Sequence, residues 1–240
     1  MESGTLSEPE FAEFAKDVTL FLHITTRITG RKDEDLLSKV GGRGFPHLVA
    51  MDATGKLFGS PNDRTVESFR KLMTVVSEYG NFKAKAEKGD AVAKVEFFIR
   101  ALKVGDFKKL DEAKKHLATL KKVSKEQKTE IDGLLYGLEV RDIVEPLNQN
   151  KDDGKKAELT KSVGKKLVEM DKAGHLPAMD EDFGVFYSVI LSYAEQEKDI
   201  PLFEKGLEAL KARFGDNLNQ RFLSAKEQIL EKMKEEKEGK

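Results

Sequence analysis

The 240-residue chain carries 42 Lys and Arg against 43 Asp and Glu, a formal net charge of −1, with 39% apolar residues. It is therefore long enough for one large or two ordinary domains, and it lacks the basic excess of a general nucleic-acid or membrane-surface protein. It has no apolar run of membrane-spanning length and no signal-like start. The absence of cysteine excludes disulfides, thiolate metal sites and thiol catalysis within this chain.

In chain order, Ser7 with Glu10 three residues later predicts a capping box, followed by a short helix with Phe11, Phe14 and Ala15 on its apolar face. Val18 to Thr25 reads as a strand. Val18, Leu20, Leu22 and Ile24 alternate with Thr19, Phe21 and His23, so both faces carry bulk, as in a central strand covered on both sides. Leu36, Leu37 and Val40 predict a short helix opened by Asp33 and closed by Gly41 and Gly42. His47 to Met51 forms the next predicted strand, Asp52 to Gly55 a turn, and Lys56 to Gly59 a partner strand. Val66, Phe69, Leu72, Met73 and Val76 then recur at helical spacing.

The stretch KVGGRGFPHLVAMDATGK, Lys39 to Lys56, resembles the cis-proline loop and following hairpin of a thioredoxin-like domain, and the resemblance extends over roughly residues 5–80. In that family a first strand and a Cys-x-x-Cys motif stand just before the point at which this chain begins with Met1-Glu2-Ser3. The resemblance implies a domain that lacks its opening unit, with a cis bond before Pro46 and a peptide groove edged by Phe45, Pro46 and His47. Gly42 departs from the pattern, since the family usually places a buried valine there. The Gly41-Gly42-Arg43-Gly44 run is not a phosphate loop, because it lacks the strand-then-helix placement and the Lys-Ser/Thr ending.

From about Gly80 the strand signals vanish. Asp90 is the predicted cap of a helix carrying Val92, Val95, Phe98 and Leu102. Gly105-Asp106 turns into a second helix with Leu110, Ala113, Leu117 and Leu120. A third follows Ser124 and runs toward Pro146. Further helices are expected over Leu159 to Met170, Phe183 to Glu195, Pro201 to Phe214 and Asn217 to Lys234, with Glu231 to Lys240 a solvated helix end. The junctions Ala101 to Phe107 and Tyr193 to Asp199 look alike, and they resemble degenerate tetratricopeptide-type hairpins. The expected fold class is thus α+β: an incomplete thioredoxin-like α/β domain over residues 1–80, then an all-α domain of stacked helical hairpins over 81–240.

Groups capable of chemistry are few. His23, His47, His116 and His175 are scattered, no HExxH is present, and only His47 adjoins the expected groove. Asp180-Glu181-Asp182 precedes an apolar helix, where acidic side chains cap and complement the helix dipole. No nucleophile stands with a partner base, no serine elbow is present, and no cofactor is expected. These readings lead to a redox-inactive thioredoxin-like protein that binds a polypeptide or protein partner through the Phe45-Pro46-His47 loop and the helical module. Nucleic acid and a membrane span are not expected, and an exposed sheet edge would admit a second copy. The alternative is a truncated thiol-disulfide oxidoreductase, a selenoprotein included, whose redox motif lies upstream of Met1. The expected location is cytoplasmic as the chain stands, and periplasmic or secreted if a signal segment precedes it.

Overall fold

The computed structural model describes residues 4–22, 35–42, 44–150 and 152–239. The chain divides into two compact units, Met1–Arg100 and Ala101–Lys240. Among the described residues no helix is long and apolar enough to cross a membrane.

The first unit contains α1 (Pro9–Phe14), α2 (Leu36–Lys39), β1 (Ala50–Met51), β2 (Leu57–Gly59), α3 (Val66–Glu87) and most of α4 (Ala91–Lys103). Its small core gathers Phe11 and Phe14 of α1 against Val66 and Phe69 of α3, with the three phenylalanine rings 5.6–5.8 Å apart. A second aromatic contact runs from Phe58 on β2 to Tyr79 on α3 and on to Phe97 on α4, with centroids 5.1 Å apart at each step. Helix α3 starts where Thr65 Oγ1 accepts the Ser68 N–H at 3.2 Å, and α4 starts where Asp90 accepts from Val92 and Ala93. Those hydroxyl and carboxylate oxygens satisfy N–H groups that the helix itself cannot pair.

The thioredoxin-like resemblance and the α+β fold class are overturned here. Among the described residues the strands are β1 and β2 alone, a two-stranded antiparallel ribbon pairing Ala50 with Gly59 and Met51 with Leu57. Among the described residues no α/β sheet forms around it. Residues 18–22 carry no strand, and Leu20, Phe21 and Leu22 are 60–75% exposed. The physical reason is that period-2 alternation stabilises a strand only when a neighbouring ladder takes up its N–H and C=O groups, and no described segment supplies one. His23 to Thr25, the rest of that predicted strand, lie outside the described residues. The redox-inactive thioredoxin-like description and its oxidoreductase alternative both rest on that sheet. The capping box at Ser7 is also absent: α1 is preceded by Glu8 without a side-chain cap, and Ser7 Oγ donates to the Gly4 carbonyl instead.

The second unit is helical throughout: α5 (Leu110–Leu117), α6 (Lys125–Gln149), α7 (Asp153–Lys172), α8 (Asp180–Gln196), α9 (Ile200–Phe214) and α10 (Gln220–Glu238). Helix α8 is the centre. It packs most extensively against α7 and α9 and also touches α6, and Phe186, Ile190, Leu191 and Ala194 on its inward stripe are fully buried. Phe203 of α9 and Leu167 of α7 complete this core, and each fully buried side chain of that size is worth roughly 2 kcal/mol. Close approach of the helices is set by small residues: a Cβ on Gly164 of α7 would lie inside contact distance of Tyr193, and one on Gly133 of α6 would stand 3.0 Å from Ala178.

Five of the chain reversals share one geometry. The N–H of Gly42, Asp90, Asp106, His175 and Asp199 each reach back five residues, to the carbonyls of Leu37, Lys85, Ala101, Met170 and Ala194. The residue before each is left-handed: Gly41, Gly89, Gly105, Gly174 and Lys198, with φ of 78°, 95°, 73°, 72° and 55°. These are Schellman turns, in which main-chain bonds close the helix end. The likeness between the Ala101 and Tyr193 junctions is this shared turn, which requires no repeat ancestry. Pro146 lies inside α6 instead of ending it. The helix continues to Gln149, where the Asn150 N–H donates to the Pro146 carbonyl at 3.2 Å.

Candidate functional site

The start of α5, the C-terminal half of α6 and the first turns of α8 enclose an open groove of about 460 Å³, lined by Lys108, Lys109, Arg141, Asp142, Glu145, Asn148, Glu181, Asp182 and two valines, Val144 and Val185. Its floor is a fixed charge pair. Arg141 Nε donates to Asp182 Oδ1 at 2.6 Å and Nη2 to Oδ2 at 3.0 Å, while the Asp182 side chain is only 6% exposed. This parallel two-bond geometry is the strongest form of arginine–carboxylate contact. Burial works to lower the Arg141 pKa, but the bond to Asp182 and its charge prevail and hold it above the usual value.

Gly137 makes the pair possible. A Cβ there would meet the Asp182 carboxylate inside contact distance, so a glycine in the middle of α6 opens the space into which the carboxylate descends. On the groove wall, Lys109 Nζ donates to Glu145 at 2.8 Å and stands 3.6 Å from Asp142, which also accepts the Leu110 N–H at 3.4 Å. The bond to Glu145 raises the Lys109 pKa. Pro146 has no N–H to give, so the carbonyl of Asp142, four residues earlier, lacks its helical donor.

Comparison with known families, curated proteins and solved structures finds no match. What the groove can do therefore follows from its own side chains. Lys108 and Asn148 stand exposed beside the paired charges, and Val185 supplies an apolar patch 40% exposed. That set can pair with backbone amides, accept a side chain against Val185 and place a cation near an incoming acceptor. It contains no nucleophile with a base, and among the described residues no cluster of His, Asp and Glu could hold a metal ion.

The residues singled out in the sequence are dispersed. Phe45, Pro46 and His47 lie in the first unit, where the Phe45–Pro46 peptide is cis and the Phe45 ring is 67% exposed. His47 Nε2 lies 3.1 Å from the Val40 carbonyl, and its ring is packed so tightly against Gly42 that a Cβ there would overlap it and Leu37. The glycine that departs from the family pattern is thus required by this loop. His116 has its pKa lowered by burial and tilts against Phe107. His175 stacks on Tyr136 with centroids 4.5 Å apart, at the edge of a second depression of about 440 Å³ lined by Glu139, Lys166 and Glu169. His23 lies outside the described residues.

The acidic trio at the start of α8 splits by function. No side chain of the trio caps the helix, and Met179 holds the cap position. Asp180 binds Arg213 of α9 at 2.7 Å, Glu181 lines the groove, and Asp182 turns inward to Arg141. The Arg141–Asp182 pair spans 41 residues of sequence, beyond the reach of spacing rules. Its one sequence trace is Gly133 and Gly137, four apart on a helix of otherwise large residues.

Proposed function

We propose that this chain is a polypeptide-binding module whose helical unit holds an extended segment of a partner protein in the groove between α5, α6 and α8. The observation that supports it most is the combination at that groove: a two-bond Arg141–Asp182 pair, with the carboxylate buried and the guanidinium partly exposed, beside exposed groups able to pair with a peptide backbone. A side chain already held matters because each one that must be immobilised on association weakens binding. The Asn148 carboxamide and the Lys108 ammonium suit main-chain N–H and C=O partners, and Val185 offers contact to an apolar side chain.

The test is selection of random dodecapeptides on the immobilised full chain, followed by direct titration of the enriched sequences. Asn148→Ala combined with Lys108→Ala should weaken those peptides about tenfold, the worth of one or two hydrogen bonds. Peptides that bind wild type and variant equally would remove the groove from the reading. A second contact is favoured by the exposed Phe45 ring on the loop that His47 anchors. Pro46→Ala would lower capture of a peptide seated there and leave the helical unit folded.

A further inference from the structure

Beyond the groove, the richest local feature is charge. Between residues 103 and 128 stand nine lysines against four carboxylates, although the whole chain is near neutral. Lys103, Lys109 and Lys128 pair with Glu130, Glu145 and Asp132. Lys108, Lys114, Lys115, Lys121, Lys122 and Lys125 are exposed and have no carboxylate partner among the described residues. Local helix electrostatics accounts for only two of them: Lys114 and Lys115 lie in the last turn of α5, where cations complement the dipole. Lys125 opens α6 at its positive end, where a cation is unfavourable. Lys122 adopts a left-handed backbone, φ 62°, without being a glycine.

These lysines are strung out in space. Helix α5 begins beside Asp142 and Glu145, near the C-terminal end of α6, and the chain then returns to the start of α6 at Lys125. Seventeen residues of α6 separate Lys125 from Asp142, roughly 25 Å at the helical rise per residue. An extended peptide covers that distance with roughly eight residues.

We infer that the segment held by the groove continues from it along this lysine track, and that this continuation, not the part seated among the carboxylates of the groove, is acidic. The inference rests on the groove reading and adds the chemistry of the partner. Lysines are mobile point charges suited to scattered carboxylates. No arginine stands along the track to present the planar fork that phosphates favour, and the fork of Arg141 in the groove is taken up by Asp182. Nor is there an exposed aromatic platform for bases: Phe107 is half-buried against His116. No large apolar side chain between 103 and 128 is exposed to enter a lipid surface.

The probe is a fluorescent octaglutamate peptide titrated by anisotropy against the full chain at low and moderate salt, with oligo(dT) and phosphatidylserine vesicles as rivals. Binding should weaken with salt and fall about tenfold in a variant carrying Lys114→Glu, Lys115→Glu, Lys121→Glu and Lys122→Glu, as four exposed ion pairs would give. The same charge change made with Lys155→Glu, Lys156→Glu, Lys165→Glu and Lys172→Glu should leave it within a factor of two. Equal loss in both variants would overturn the track, as would tighter binding of oligo(dT) or vesicles. If the selected dodecapeptides still need Asn148 and Lys108 but octaglutamate does not bind, the acidic partner fails and the groove stands. If neither peptide class binds, both fall.

Discussion

Residues 18–22 and helix α8 are both rich in large apolar side chains, yet one leaves Leu20, Phe21 and Leu22 in the open and the other buries Phe186, Ile190 and Leu191 completely. The difference lies in what each pattern demands. A helix satisfies its own backbone and needs only a surface to lie on, which α7 and α9 provide. A strand must borrow its hydrogen bonds from a neighbour, and alternation of side chains says nothing about whether that neighbour exists. The core around α8 is accordingly built on deep contacts that tolerate little change, and residues 18–22 on shallow ones that tolerate more.

Glycines sharpen this contrast most. Gly164→Ala places a methyl against the root of the Tyr193 side chain, which cannot swing away, and should cost about 2–3 kcal/mol of overpacking by chemical denaturation. A loss under about 0.5 kcal/mol would mean that α7 and α8 separate easily and that the second unit is no tighter than the first.

The next effect concerns the polar join inside the helical core. Asp171 near the end of α7 is buried and accepts from the Tyr187 hydroxyl of α8 at 2.8 Å and from Lys205 of α9. Burial, then the bond and the charge of Asp171, push the Tyr187 pKa up. Below about pH 10 the phenol is neutral in folded and unfolded chains alike and its contribution is complete; above that the unfolded chain ionises first and stability declines. Tyr187→Phe should cost about 1 kcal/mol at neutral pH and flatten the decline in melting temperature above about pH 10. An unchanged alkaline slope would detach Tyr187 from it.

The smallest effect is a gain. Gly80 lies inside α3 with open space where a Cβ would be, so Gly80→Ala should add about 0.5–1 kcal/mol. A loss there would show that the first unit is packed more closely around α3 than its exposed surface indicates.

Much of the helical order is legible in the sequence. The helix over Pro201 to Phe214 corresponds to Ile200–Phe214, and Ser124 caps α6 through a reciprocal box with Gln127. Such signals are local, set within one turn. Pro146 misleads because a single lost bond three residues from a helix end is a small cost, which the packing of Val140 and Val144 outweighs. The sheet expectation fails because it depends on distant partners. The groove escapes for the same reason: Arg141 and Asp182 meet only through the crossing of α6 and α8, and Asp182 looks like its exposed neighbours Asp180 and Glu181 until that crossing is known.

The five Schellman turns also bear on how this chain can change over generations. Each is closed by main-chain bonds, so the only demand on the residue at its apex is the sign of one torsion angle. Glycine meets it without strain at residues 41, 89, 105 and 174, and Lys198 meets it with a side chain. Sequence drift at these joints is filtered by backbone handedness and hardly at all by chemistry. The hairpins can therefore diverge beyond recognisable likeness while the path of the chain stays the same.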